Sequence, residues 1–176
     1  MITEVSQEIL HHKDFAMLIE QERIEDLKRI SDLFKRVDNG ETQSMNQYRL
    51  RWRNHIQAKG EAMLNDEELA KKGFKAIEDF ISFRSKSVAL VKRVFPNEHL
   101  QSIFLKTAVN EGFSNFLNIE PNIVAEFLAK FLDFHMKKSG GQAGISDENL
   151  IKIIDEVLIL FRIVKAKDIF EEFYQR

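Results

Sequence analysis

Glu8 and His11 stand three residues apart, the spacing at which a carboxylate and an imidazole on one helical face ligate iron in di-iron bundles. Such a site needs a second pair and further carboxylates, and no second Glu-x-x-His occurs, so a helix terminus with exposed polar side chains is much the better reading of the pair. His55, His99 and His135 stand singly, without the paired spacing of a zinc site, and read as surface or interhelical hydrogen-bonding residues. The run Tyr48-Arg49-Leu50-Arg51-Trp52-Arg53 interleaves aromatics with cations, as grooves for single-stranded nucleic acid do. At helical spacing, however, Trp52 falls on an apolar seam while Arg51 and Arg53 point elsewhere, so a solvated basic face is the simpler reading. The glycines at 140, 141 and 144 follow a helical pattern rather than a strand, and no glycine-rich nucleotide loop or nucleophile elbow is present. No catalytic, cofactor-binding or metal-binding residues are assigned. The acidic clusters Asp66-Glu67-Glu68 and Asp147-Glu148 lie at expected helix starts, where carboxylates favour the positive end of the macrodipole.

Composition describes what must position these groups. The chain has 176 residues, 44% apolar with 15 phenylalanines against 31% charged, which suits a packed core rather than a disordered chain. Basic and acidic side chains number 26 and 28, and the net charge of −2 gives no global attraction to nucleic acid or to an anionic membrane. Cysteine is absent, which excludes disulfides and thiolate chemistry and is compatible with an intracellular protein. The first ten residues lack a basic segment, and no apolar run approaches the roughly 20 residues that span a bilayer, so a soluble, untargeted chain is expected.

Apolar residues recur at helical spacing almost throughout, and strand-like alternation is absent, so the expected fold class is all-α. Helices are expected over 3–20, 24–37 and 42–64. A fourth is expected to start at a capping box formed by Asn65 and Glu68 and to reach Phe95, where Pro96 breaks it. A fifth carries Leu100, Ile103, Phe104, Ala108, Phe113, Phe116 and Leu117, and Pro121 suits the first turn of a sixth. After the glycine-containing linker over 139–144, Ser146 is placed to cap a seventh over 147–164, and an eighth begins near Lys167. The seventh is apolar around a full turn at 157–161 and needs partners on more than one side, yet little chain follows. Its stripe of Ile151, Ile154, Leu158 and Phe161 predicts either self-association of the isolated chain as a homodimer or a folded-back seventh helix.

Several short motifs, in order and at matching distances, resemble the cullin family. They are Phe113-Ser114-Asn115-Phe116-Leu117-Asn118, Pro121-Asn122, Ala125-Glu126-Phe127-Leu128-Ala129-Lys130-Phe131-Leu132-Asp133, Ile159-Leu160-Phe161-Arg162, Lys167-Asp168-Ile169-Phe170-Glu171 and Phe173-Tyr174. Upstream, Glu25-Asp26-Leu27, Leu33-Phe34-Lys35-Arg36-Val37 and the Gly60 region resemble the last of the helical cullin repeats.

The resemblance implies an elongated cullin-repeat bundle of long helices, followed by the opening helices of a second bundle. Residues 1–120 would form the third repeat, and 121–176 the junction and incomplete start of the C-terminal domain. Cullins are non-catalytic scaffolds of multi-subunit RING-type ubiquitin ligases, and this segment would act as a rigid spacer between the substrate receptor and the RING-box module in ubiquitin-dependent protein degradation. Partners would be the rest of the cullin chain or another ligase subunit. The RING-box protein and the receptor adaptor would be reached only through regions with no counterpart here. No cofactor, nucleic acid or membrane is implied, and the location would be cytoplasm and nucleus. The resemblance gives an interdomain packing role to Leu160, Phe161, Phe170 and Phe173. Against it stand two other expectations: a generic helical interaction module unrelated to ubiquitin transfer, and a small metalloenzyme built on Glu8 and His11.

Overall fold

The computed structural model describes residues 12–38, 43–64, 71, 73–139, 146–166, 168 and 171–172. Among these every regular element is helical, as expected for an all-α chain. Helix α1 spans His12–Glu20, α2 Ile24–Asp38, α3 Gln43–Leu64 and α4 Gly73–Val94. Helix α5 spans Glu98–Phe104, a π-helical turn follows over Leu105–Asn110, and α6 takes Glu111–Leu117. Helices α7 and α8 span Pro121–Ser139 and Asp147–Ile163. The Asn65 and Glu68 capping box and the glycines at 140, 141 and 144 lie outside the described residues, as do Lys167, Ile169 and 173–176 of the expected eighth helix.

The chain divides into two compact units, one of residues 1–58 and 84–112, the other of 59–83 and 113–176. The first is organised around aromatic rings. Tyr48 sits with its ring centroid 5.7 Å from Phe34, 5.8 Å from Phe104, 5.9 Å from Phe15 and 6.1 Å from both Trp52 and Phe95, all edge-on. Edge-to-face contact sets the positive rim of one ring against the negative face of another, which adds specific geometry to the burial of large apolar area. The Tyr48 hydroxyl donates to the Leu27 carbonyl oxygen at 2.9 Å, so this buried hydroxyl is satisfied. Burial pushes the Tyr48 phenol above its usual range.

Helix α2 contributes Leu27, Ile30 and Phe34 to this core, with Ser31 buried, while Leu33 is partly exposed. Glu25 and Asp26 occupy the first turn and Lys35 and Arg36 the last, complementing the macrodipole. Between α1 and α2 the backbone reverses at Glu22, whose φ of 51° is left-handed, and Arg23 N–H bonds back to the Leu18 carbonyl at 2.9 Å. Proline at 96 ends α4 as expected, and Asn97 then accepts the Leu100 N–H at 3.1 Å to start α5.

The second unit packs Phe80, Phe83, Phe113 and Phe116 together, with the centroids of Phe113 and Phe116 4.8 Å apart. Helix α7 buries Val124, Ala125, Leu128, Ala129, Phe131, Leu132 and His135. Room for Phe116 comes from Gly60: a Cβ on Gly60 would stand 2.2 Å from the ring, well inside contact distance.

Replacing Gly60 by Ala tests this packing. Alanine favours helix by about 1 kcal/mol over glycine, so a substitution with spare room would raise stability. The expected outcome is instead a loss of roughly 1–3 kcal/mol from overpacking, read from urea unfolding of the 176-residue chain.

Candidate functional site

Among the described residues, those whose types suggested chemistry are not brought together as a reactive site. Glu8 and His11 lie outside the described residues, and no group of three or more His, Asp or Glu side chains is placed to hold a metal among those described. Tyr48 and Trp52 are turned fully into the aromatic core, while Arg53 lies 3.6 Å from Glu111 in a partly exposed ion pair. The run from Tyr48 to Arg53 therefore offers no face on which stacking and phosphate contacts converge. His55 packs edge-on to Phe15 at 6.4 Å and His135 lies 4.4 Å from the Phe131 ring, both buried, whereas His99 is exposed.

The feature with the most specific geometry is the seat of the last described helix. Helix α8 begins at Ser146, whose hydroxyl accepts the Asn149 N–H at 3.3 Å, and Asp147 and Glu148 occupy its first turn. It packs against α7 and buries Val157, Leu160 and Phe161, with Val164 buried just beyond its end. Two of the four residues expected to pack at a junction, Leu160 and Phe161, are thus in the core of the second unit, and Phe170 and Phe173 lie outside the described residues. The apolar run at 157–161 is therefore covered in part by the folded-back helix pair. Its other side is not: Ile151 is 58% exposed, and Ile154 and Leu158 are partly exposed.

Asn118 locks the end of α8 in place. Its amide nitrogen donates to the Ile163 carbonyl at 3.1 Å and to the Ser114 carbonyl at 2.8 Å, and its carbonyl oxygen accepts the Lys165 N–H at 2.7 Å. One side chain thus satisfies a carbonyl at the last turn of α8 and an amide just past it, both of which a helix end leaves unpaired. It does so from the turn between α6 and α7, joining positions 45 and 47 residues apart in sequence. Asn118 closes the motif Phe113-Ser114-Asn115-Phe116-Leu117-Asn118, to which the resemblance attaches no role for it. The available signal was an Asn placed between a helix end at Leu117 and the helix-starting Pro121, where a side chain able to both donate and accept is favoured.

Removing this clamp has a definite expected cost. Asn118→Ala should lower stability by roughly 2 kcal/mol, since several bonds of about 1 kcal/mol each are lost and two backbone groups lose a partner. The loss should also appear as faster amide exchange over residues 160–165. Unchanged exchange there would mean that apolar packing alone holds α8.

In chemical terms the arrangement binds and positions helices. Residues 1–176 match the family model of the cullin alpha solenoid domain. The chain is similar to Cullin-4 of Dictyostelium discoideum, at 30% identity over 169 residues, covering 96% of this chain and 19% of the relative. It is also similar to Cullin-4A of Homo sapiens, at 30% identity with 99% and 21% covered, and to Cullin-3A of Arabidopsis thaliana, at 28% identity with 100% and 23% covered. The chain spans about a fifth of the length of these relatives. With its full length matched by the alpha solenoid domain, the chain belongs to the cullin family.

Proposed function

We propose that this chain acts as a segment of the scaffold of a RING-type ubiquitin ligase, a non-catalytic spacer between the substrate receptor and the RING-box module. The observation that carries this reading is the match of residues 1–176 to the cullin alpha solenoid domain. Its helical, Phe-rich packing supports it. In this reading residues 1–120 serve as the third cullin repeat and 121–176 as the junction toward the C-terminal domain. Leu160, Phe161, Phe170 and Phe173 pack that junction. The receptor adaptor and the RING-box protein bind elsewhere in the full protein, in cytoplasm and nucleus, and ubiquitin-dependent degradation is the process served.

The mechanism proposed is geometric. Transfer of ubiquitin to a substrate is favoured when both are held at a fixed separation and angle, because the entropy of bringing them together is supplied in advance. A spacer contributes by not bending. Helix α4 runs unbroken for 22 residues, about 33 Å at 1.5 Å per residue, and is suited to that role. Isolated from the rest of a cullin, the chain retains the outward stripe of Ile151, Ile154 and Leu158, and a second copy of the chain is its proposed cover.

Softening α4 tests the spacer. Ser82 and Ser85 are exposed on it, and Ser82→Gly with Ser85→Gly lowers helix stability without opening the core. Introduced into the full-length protein, the pair should reduce ubiquitin transfer by roughly tenfold while leaving subunit binding intact. Undiminished transfer would count against the spacer mechanism. The second-copy contact is read from sedimentation of the isolated chain: dimers are expected at micromolar concentration, Ile151→Glu should return them to monomers, and a strictly monomeric parent chain would refute the contact.

A further inference from the structure

The backbone from Glu98 to Gly112 is helical throughout, but it is π-helical over Leu105–Asn110. We propose that this turn stores one residue more than an α-helix needs, and that it is a built-in hinge at which the helix opens while its ends stay docked. The inference is independent of the scaffold reading.

The surplus follows from which side chains are buried. Phe104, Ala108, Val109 and Gly112 are buried, while Lys106 and Glu111 are exposed. In an unbroken α-helix of the same length, Val109 would point about 140° and Gly112 about 80° away from Phe104, and Glu111 would come within about 20° of it. A charged side chain would face the core, and an apolar one would face water. The wider π-turn takes up that drift. If one exposed residue, Lys106, is removed on paper, a plain α-helix places Ala108, Val109 and Gly112 within about 60° of Phe104 and turns Glu111 about 120° away. The burial pattern is that of an α-helix one residue shorter.

Both ends of the stretch are pinned. The Phe104 ring lies 4.1 Å from that of Phe95. At the other end a Cβ on Gly112 would stand 2.8 Å from the Ile56 Cγ2 and 3.1 Å from the Arg53 carbonyl, so backbone abuts α3 directly there. The bonding between the pins is irregular. The Leu105 N–H is shared between the Gln101 and Ser102 carbonyls, and the Glu111 N–H reaches back only three residues to Ala108. The Asn110 Oδ1 is buried and finds no hydrogen-bond partner among the described residues. A segment with fixed ends and a poorly satisfied middle is where local opening costs least.

Two measurements on the 176-residue chain decide the matter. In the parent protein, amides at 106–111 should exchange about tenfold or more faster than those at 48–56 and 88–94. Deletion of Lys106 should give a folded protein whose thermal midpoint is higher by about 2–4 °C, with exchange at the remaining positions slowed to that of the flanks. A deletion variant that fails to fold, or whose midpoint is unchanged or lower, overturns the surplus residue. Parent exchange as slow as in the flanks overturns the hinge.

Discussion

Helices this rich in phenylalanine can pack closely only where a neighbouring backbone gives way. Most of what is described depends on that constraint. A buried aromatic ring brings large area and a strong driving force, but it is rigid and wide, and helix axes set by ring-on-ring contact stand far apart. Glycine at the crossing point resolves the conflict. The ring of Phe116 occupies the space a side chain at 60 would take, and that of Phe127 does the same at Gly73. Each glycine sits within or at the start of a helix, where it weakens local propensity by about 1 kcal/mol relative to alanine, so tertiary packing has overridden local preference there.

Elements whose signals are local were legible in the sequence. The break at Pro96, the start of α7 at Pro121 and the Ser146 cap of α8 each rest on one residue's backbone chemistry, and each stands where that chemistry puts it. The bounds of α2 and α3 follow from apolar periodicity within a residue or so. Features set by distant partners were not legible. Leu33 and Phe74 both lie on apolar stripes, yet Leu33 is 39% and Phe74 41% exposed, because a stripe shows which face is apolar and not how wide the neighbour is. Phe74 instead shares an aromatic cluster with Phe131 and Phe134, its ring 4.8 Å from that of Phe134.

The candidate site shows the same division. Apolar burial of Leu160 and Phe161 could be anticipated from residue type alone. The Asn118 clamp could not, because its worth lies in meeting Ile163 and Lys165 across more than forty residues of chain. The π-turn was equally hidden. Periodicity read at 3.6 residues per turn treats Phe104, Ala108, Phe113 and Phe116 as one continuing helix, and an extra residue in the middle leaves no mark on composition.

The residues that most suggested chemistry explain why a scaffold is the natural reading. A reactive or nucleic-acid-binding site needs polar groups and aromatic faces held open toward a ligand, at a cost in stability. In the first unit the reverse has happened. Tyr48 and Trp52, the stacking candidates, are surrounded by the rings of Phe15, Phe34, Phe95 and Phe104, and the Tyr48 hydroxyl is committed to the Leu27 carbonyl. The arginines of the same run remain partly exposed, and an ion pair such as Arg53 with Glu111 adds little stability and needs no ligand. Side chains suited to recognition have been placed to make helices rigid to one another within the unit, which is what the proposed spacer role requires.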